Sequence, residues 1–186
     1  MEETENSKAY RGDFPVRDEN VESSFKYEIA NQVGGEGLLR CLKCGACSGG
    51  CPVGSVIDYR PRKVLGNVLL GLKDEVLSSD QIWLCAACFT CEERCVQQVN
   101  FTDVITVLRN IASQEGNAAP GYVAMAKMVM KNGRVTARTQ LVDRMREQLG
   151  LPALQDPAIE QLNQIMNAAG LKRVFDAQKE GRNESE

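Results

Sequence analysis

Residues 41–52 read CLKCGACSGGCP and residues 85–96 read CAACFTCEERCV. The two stretches hold all eight cysteines of a 186-residue chain that has no histidine. The thiols are spaced alike in both: Cys41-x2-Cys44-x2-Cys47-x3-Cys51-Pro52, then Cys85-x2-Cys88-x2-Cys91-x3-Cys95-Val96. Three thiolates at this interval can wrap one face of an iron–sulfur cube, each meeting a different iron. The fourth, after three residues, leads away and ligates the other cube. The spacing therefore assigns Cys41, Cys44, Cys47 and Cys95 to one [4Fe–4S] cluster, and Cys85, Cys88, Cys91 and Cys51 to a second. Crossing the fourth ligands ties each cluster to both runs and holds the pair close, as electron hopping requires.

The residues between the thiols suit that assignment. Gly45, Ala46, Ser48, Gly49 and Gly50 in the first run, and Ala86 and Ala87 in the second, are small enough for backbone N–H groups to approach cluster sulfurs. Pro52 turns the chain out of the first loop; Val96 stands at that place in the second and leaves its exit geometry open. Structural zinc is the alternative use of eight thiolates, since C-x2-C pairs also bind zinc. Zinc ribbons use pairs, however, and a third ligand at the same interval is an iron–sulfur spacing. Disulfides do not suit a reducing compartment, and a thioredoxin-type dithiol needs a single C-x-x-C on a βαβ pattern.

Outward from the runs the pattern is helical. Val64, Leu65, Val68, Leu69, Leu72 and Val76 form a helical stripe behind Pro61, which suits a first helical turn. Ser78 and Gln81 have capping-box spacing and open a helix that leads Ile82, Trp83 and Leu84 into Cys85. Thr102 and Asp103 suit the start of a helix whose buried face is Val104, Ile105, Val107, Leu108, Ile111 and Ala112, closed by Gly116. Ser24 is placed to cap a short helix through Val33. Further helices are expected from Pro120 to near Gly133, from Thr136 to Leu149, and from Asp156-Pro157 to Gly170, with another turn or two from Leu171. Strand signals are nearly absent. The fold class is all-α, with helices flanking two cysteine-rich loops. The expected organisation is a polar arm over residues 1–22, a cluster domain over 23–118 and a helical extension over 119–186. The cysteine pattern recurs only twice, too few copies for a solenoid.

Composition sets limits. The chain is 43% apolar and 25% charged, ordinary for a globular protein, with a formal charge of −3 that gives no nucleic-acid footprint. No apolar run reaches the length of a membrane span, and the N-terminus lacks the apolar core of a signal peptide, so a cytoplasmic location is expected.

The helical segment between the runs sets this chain apart from compact bacterial ferredoxins, and resembles the α-helical ferredoxin domain of succinate dehydrogenase iron–sulfur subunits and heterodisulfide reductases. DEVLSSDQIWLCAACFTCEERC (74–95) and NFTDVITVLRNIASQEG (100–116) are similar to the small iron–sulfur subunits, the C-type subunits, of soluble methanogen heterodisulfide reductases. In that family an S-S-x-x-I-W-x-C approach and a T-D-V-I-x-x-L-R-N helix recur. The likeness covers roughly residues 25–150. It implies an electron relay in methanogenesis between the A and B subunits of the reductase. The former is flavin-containing and bifurcating; the latter reduces the disulfide of coenzyme M and coenzyme B. A hydrogenase or formate dehydrogenase would supply the electrons. The sequence has no Cys-Cys dipeptide, no G-x-G-x-x-G fingerprint and no histidine for b-type haem, which fits a chain that carries electrons and leaves bond chemistry to its partners. Two other functions use the same residues: an iron–sulfur relay subunit of another dehydrogenase or disulfide-reductase-like complex, and a zinc-binding assembly module.

Four further features carry expectations. Trp83 is read mainly as core packing beside the cluster. Met125, Met128 and Met130 share one helix, as core filling or as a docking face. Arg134, Arg138, Arg144 and Arg146 form either a solvated face or a patch for an acidic partner. Glu92 and Glu93 inside the second run place negative charge beside that cluster and should lower its potential.

Overall fold

The computed structural model describes residues 20–183, and among these there are helices and no strands. The expected arm over 1–22 lies outside the described residues except for its end, where Glu22 donates its N–H to the Gly71 carbonyl at 2.8 Å. The chain forms two compact units, divided in sequence between Ala112 and Ser113.

In the first unit, α1 (Phe25–Ala30) is followed by a 3-10 turn at Leu38–Arg40 that delivers Cys41. The short α2 (Ala46–Gly49) lies inside the first cysteine run. Then come α3 (Pro61–Leu70), α4 (Lys73–Leu77) and a 3-10 turn at Asp80–Trp83 that delivers Cys85. The second run holds α5 (Thr90–Glu93), and α6 (Phe101–Gln114) follows it. One apolar core joins them: Phe25 and Ile29 from α1, Val64, Leu65 and Val68 from α3, Val76 and Leu77 from α4, Ile82, and Phe101, Val104, Ile105 and Leu108 from α6. Burial of each such side chain contributes about 1.5–3 kcal/mol. Cys41, Cys47, Cys51, Cys85, Cys91 and Cys95 all pack against or belong to this core, so the hydrophobic effect places the thiols.

Several boundaries differ from the sequence reading. The stripe from Val64 to Val76 is two helices, because Gly71 takes φ 83° and ends α3. The cap before Trp83 is Ser79, whose hydroxyl accepts from the Gln81 N–H at 3.1 Å; Ser78 instead donates to the Asp74 carbonyl. Helix α1 stops at Ala30, and Ser24 makes no side-chain cap bond.

The second unit contains α7 (Pro120–Asn132), α8 (Gln140–Gln148), α9 (Ile159–Ala168) and α10 (Leu171–Asn183). Gly133, Gly150 and Gly170, all with positive φ, follow α7, α8 and α9. Thr139, not Thr136, starts α8, with its side chain accepting from Val142 N–H. Asp156 does not cap α9; its carboxylate meets Arg138 at 3.1 Å. Arg134 donates to the Gln155 carbonyl, Arg138 to Asp143 and to the Leu154 carbonyl, and Arg146 to the Pro152 carbonyl. Three of the four arginines thus tie down residues 152–156. Among the described residues, no helix is long and apolar enough to cross a membrane.

Candidate metal centre

The two cysteine runs have the same backbone. Each is entered from a 3-10 turn, and each folds a four-residue helix after its second cysteine, α2 and α5. Lys43 and Ala87 occupy matching places with φ 53° and 49°; Gly45 and Phe89 do so with φ 90° and 60°. The sequence repeat is therefore a repeat of conformation. Such reversals turn successive N–H groups inward and form concave sites for anionic groups. Non-glycine residues rarely hold positive φ, and among the described residues all four that do (Lys43, Ala87, Phe89, Gln98) lie in or directly after the runs.

The thiols border two cavities. One is lined by Cys41, Cys44, Cys47, Cys91 and Cys95, with Arg62 and Phe101 among its walls. The other is lined by Cys51, Cys85, Cys88 and Cys91, with Tyr59, Phe101 and Thr102. Cys91 borders both. All eight thiols are free of disulfides. Among the described residues, no three Cys, His, Asp or Glu side chains converge closely enough to grip a single metal ion. Sulfurs spread around a cavity fit a polynuclear cluster: soft thiolates would hold several irons, and backbone N–H groups would serve its sulfides. Two sulfurs already accept from the backbone: Cys41 from Lys43 N–H at 3.4 Å and Cys95 from Val99 N–H at 3.3 Å.

Thiolates are the ligating form. Burial pushes the Cys47 thiol up, and burial followed by the nearby Cys85 and Glu92 pushes Cys91 up to about 11. Hydrogen bonding with Thr90 draws the exposed Cys88 down.

Charged side chains clamp the two runs. Arg109 on α6 donates to the carbonyls of Ile82 and Cys85, both at 2.8 Å, and its guanidinium lies 5.7 Å from the Trp83 ring. Arg40 reaches from the start of the first run to the Gln98 carbonyl after the second, at 2.9 Å. Arg94 lies across Gly50, where an added Cβ would meet it at 2.4 Å. Glu92 accepts from the Thr102 N–H at 2.8 Å, so one of the two carboxylates in the second run caps the start of α6. Trp83 is partly buried against the core, in the packing position its sequence context suggested. Arg109, Arg62, Tyr59 and Thr102 were not read as site residues from sequence. Arg109 and Thr102 had a signal, their places in the T-D-V-I-x-x-L-R-N segment after the second run.

Comparison with known proteins gives the same picture from another direction. Residues 37–99 match the 4Fe-4S dicluster domain family. The C2 iron-sulfur subunit of the CoB–CoM heterodisulfide reductase of Methanocaldococcus jannaschii is 47% identical over 131 residues, 68% of this chain and 69% of that protein. The C-type subunit of the H2:CoB-CoM heterodisulfide,ferredoxin reductase of Methanothermobacter thermautotrophicus is 33% identical over 166 residues, 86% of this chain and 89% of that one. The corresponding iron-sulfur subunit of Methanopyrus kandleri is 34% identical over 146 residues, 75% of this chain and 76% of the other. With a 4Fe-4S dicluster domain set in an all-helical fold and this extent of likeness, the chain belongs to the family of C-type iron–sulfur subunits of heterodisulfide reductases.

Proposed function

We propose that this chain is the electron-relay subunit of a cytoplasmic heterodisulfide reductase complex and carries two [4Fe–4S] clusters. Cys41, Cys44, Cys47 and Cys95 hold the first; Cys85, Cys88, Cys91 and Cys51 hold the second. The chain stands between the A and B subunits of the reductase. It takes electrons from the former, which is flavin-containing and bifurcating, and passes them to the latter, where the disulfide of coenzyme M and coenzyme B is reduced. A hydrogenase or formate dehydrogenase stands upstream. The observation that carries this reading is the division of eight free thiols between two cavities that share Cys91 and Phe101.

When bound, the clusters supply one-electron carriers whose potentials follow from charge, hydrogen bonding and solvent access. The chain's own residues set those terms. Leu65, Val99 and Phe101 keep water from the first cavity; Val53, Tyr59 and Phe101 do so at the second. Lys43 and Val99 N–H groups steady two sulfurs, and Arg109 fixes the backbone of Cys85. With no histidine and every thiol assigned to a cluster, bond chemistry falls to the partner that binds the disulfide.

The test is iron, zinc and acid-labile sulfide per chain in anaerobically purified protein, with electron paramagnetic resonance after reduction. About eight irons and eight sulfides, with signals from two interacting clusters, are expected. Zinc without sulfide overturns the relay. The A and B subunits should co-purify with a tagged chain from its native host; a lactate- or glycerol-phosphate-type dehydrogenase in their place would keep the relay and move it to another complex.

A further inference from the structure

The walls of the two cavities differ in one respect that the cysteine pattern does not show. Among the described residues, four buried side-chain nitrogen or oxygen atoms make no hydrogen bond, and two of them lie in the first unit: Tyr59 Oη and Thr102 Oγ1. Both residues line the second cavity and neither lines the first. Tyr59 is fully buried and Thr102 is 6% exposed. A buried hydroxyl without a partner is costly, and in a native fold it signals an acceptor that arrives with a bound group. The neighbours identify the acceptor's chemistry. Tyr59 and Thr102 share the wall of the second cavity with Cys51, Cys85, Cys88 and Cys91. The four thiols assigned to one cluster are thus the groups that border the same space as these two hydroxyls. The first cavity has only Phe101 as its aromatic wall, with no hydroxyl on the ring.

We propose that Tyr59 and Thr102 donate hydrogen bonds to anionic sulfur of the second cluster and hold its reduction potential above the value that its ligands alone would give. The proposal rests on the cluster reading above and adds two positioning residues to it. A donor facing sulfur stabilises the reduced state more, because the added electron raises the negative charge on the acceptor. The two hydroxyls therefore act against the carboxylates of Glu92 and Glu93. They also make the two clusters inequivalent despite their matching loops, which sets a direction along the relay.

Tyr59→Phe and Thr102→Val each remove a donor and keep the shape. In the full chain with its clusters, potentiometric titration followed by electron paramagnetic resonance is expected to show one cluster becoming harder to reduce. The expected change is roughly tenfold in the equilibrium constant per lost bond, about 59 mV downward for a one-electron couple. The other cluster should not move. In the reduced wild-type chain exchanged into heavy water, electron–nuclear double resonance should show exchangeable deuterons coupled to one cluster, with one coupling lost in each variant. Variants with full iron and sulfide and unchanged potentials overturn the proposal and leave the cluster reading standing. A wild-type chain with no coupled exchangeable deuteron overturns it as well, whether or not the variants fold. A wild-type chain without iron and sulfide removes the cluster reading itself, and this proposal with it.

Discussion

At the scale of single residues, Arg109 does most to join the two stretches that carry the family likeness. It stands in the L-R-N part of α6, and its guanidinium holds the Ile82 and Cys85 carbonyls beside Trp83. Arg109→Met should cost about 3 kcal/mol, since two charge-assisted bonds are lost and two carbonyls are left without this donor. Arg109→Lys keeps the charge but not the fork and should recover less than half. Denaturant midpoints of the three proteins check this; equal midpoints for Lys and Arg would show that charge alone matters. Phe89 presents a different balance. It holds φ 60° where the first run has Gly45, and its ring is 51% exposed. Phe89→Gly should relieve about 1 kcal/mol of left-handed strain at little loss of buried area. The same ring borders the second cavity, so its removal should also hasten cluster loss in air. A raised melting point with faster bleaching is the expected pair of results; slower or unchanged bleaching would mean that the ring does not shield the site.

At the scale of elements, α3 offers an internal control. Gly66 lies within the helix with open space where a Cβ would go, whereas at Gly71, φ 83°, a Cβ would sit 2.3 Å from the Glu22 carbonyl oxygen. Gly66→Ala should stabilise by about 0.7 kcal/mol through helix propensity. Gly71→Ala should destabilise by about 3 kcal/mol through left-handed strain and backbone overlap. Thermal melts of the two variants should move in opposite directions, and a shift of the same sign would show that the break after α3 is not fixed by Gly71. That break also marks where sequence stopped being informative. Leu72 and Val76 stay in phase with Val64 and Val68, so periodicity cannot register a left-handed glycine between them. The cap shifted from Ser78 to Ser79 because two serines in succession offer the same chemistry one residue apart. The paired cysteine runs were legible because the same spacing of thiols recurs in both. Tyr59 was not, because a single aromatic in an irregular stretch has no period to betray its burial. Arg134 and Arg146 read as part of a charged face because their acceptors, the carbonyls of Gln155 and Pro152, have no side-chain signature.

At the scale of the whole molecule, the two units are built differently, and the difference bears on the proposed assembly. Among the described residues, Ala118 and Val123 are the only buried apolar residues after Ala112. The second unit instead exposes a stripe along α8: Leu141 at 66%, Met145 at 52% and Leu149 just beyond its end at 70%. These recur at a four-residue interval, on one side of the helix. With Arg134, Arg138 and Arg146 already engaged within the unit, an apolar face is a better basis for docking than the charged patch. Each such side chain is worth about 1.5–3 kcal/mol when covered. The double substitution Leu141→Glu and Leu149→Glu is therefore expected to weaken capture of the partner subunits by about 100-fold or more, roughly 3 kcal/mol. Iron and sulfide content should not change, because the thiols belong to the first unit. Salt separates this from charge pairing: at about 1 M, where screening acts over about 3 Å, wild-type assembly should persist. Quantitative pull-down of the native complex at low and high salt reads both effects. Full capture by the double variant would take the docking face off α8, and wild-type capture that collapses in salt would return it to charged residues such as Arg144.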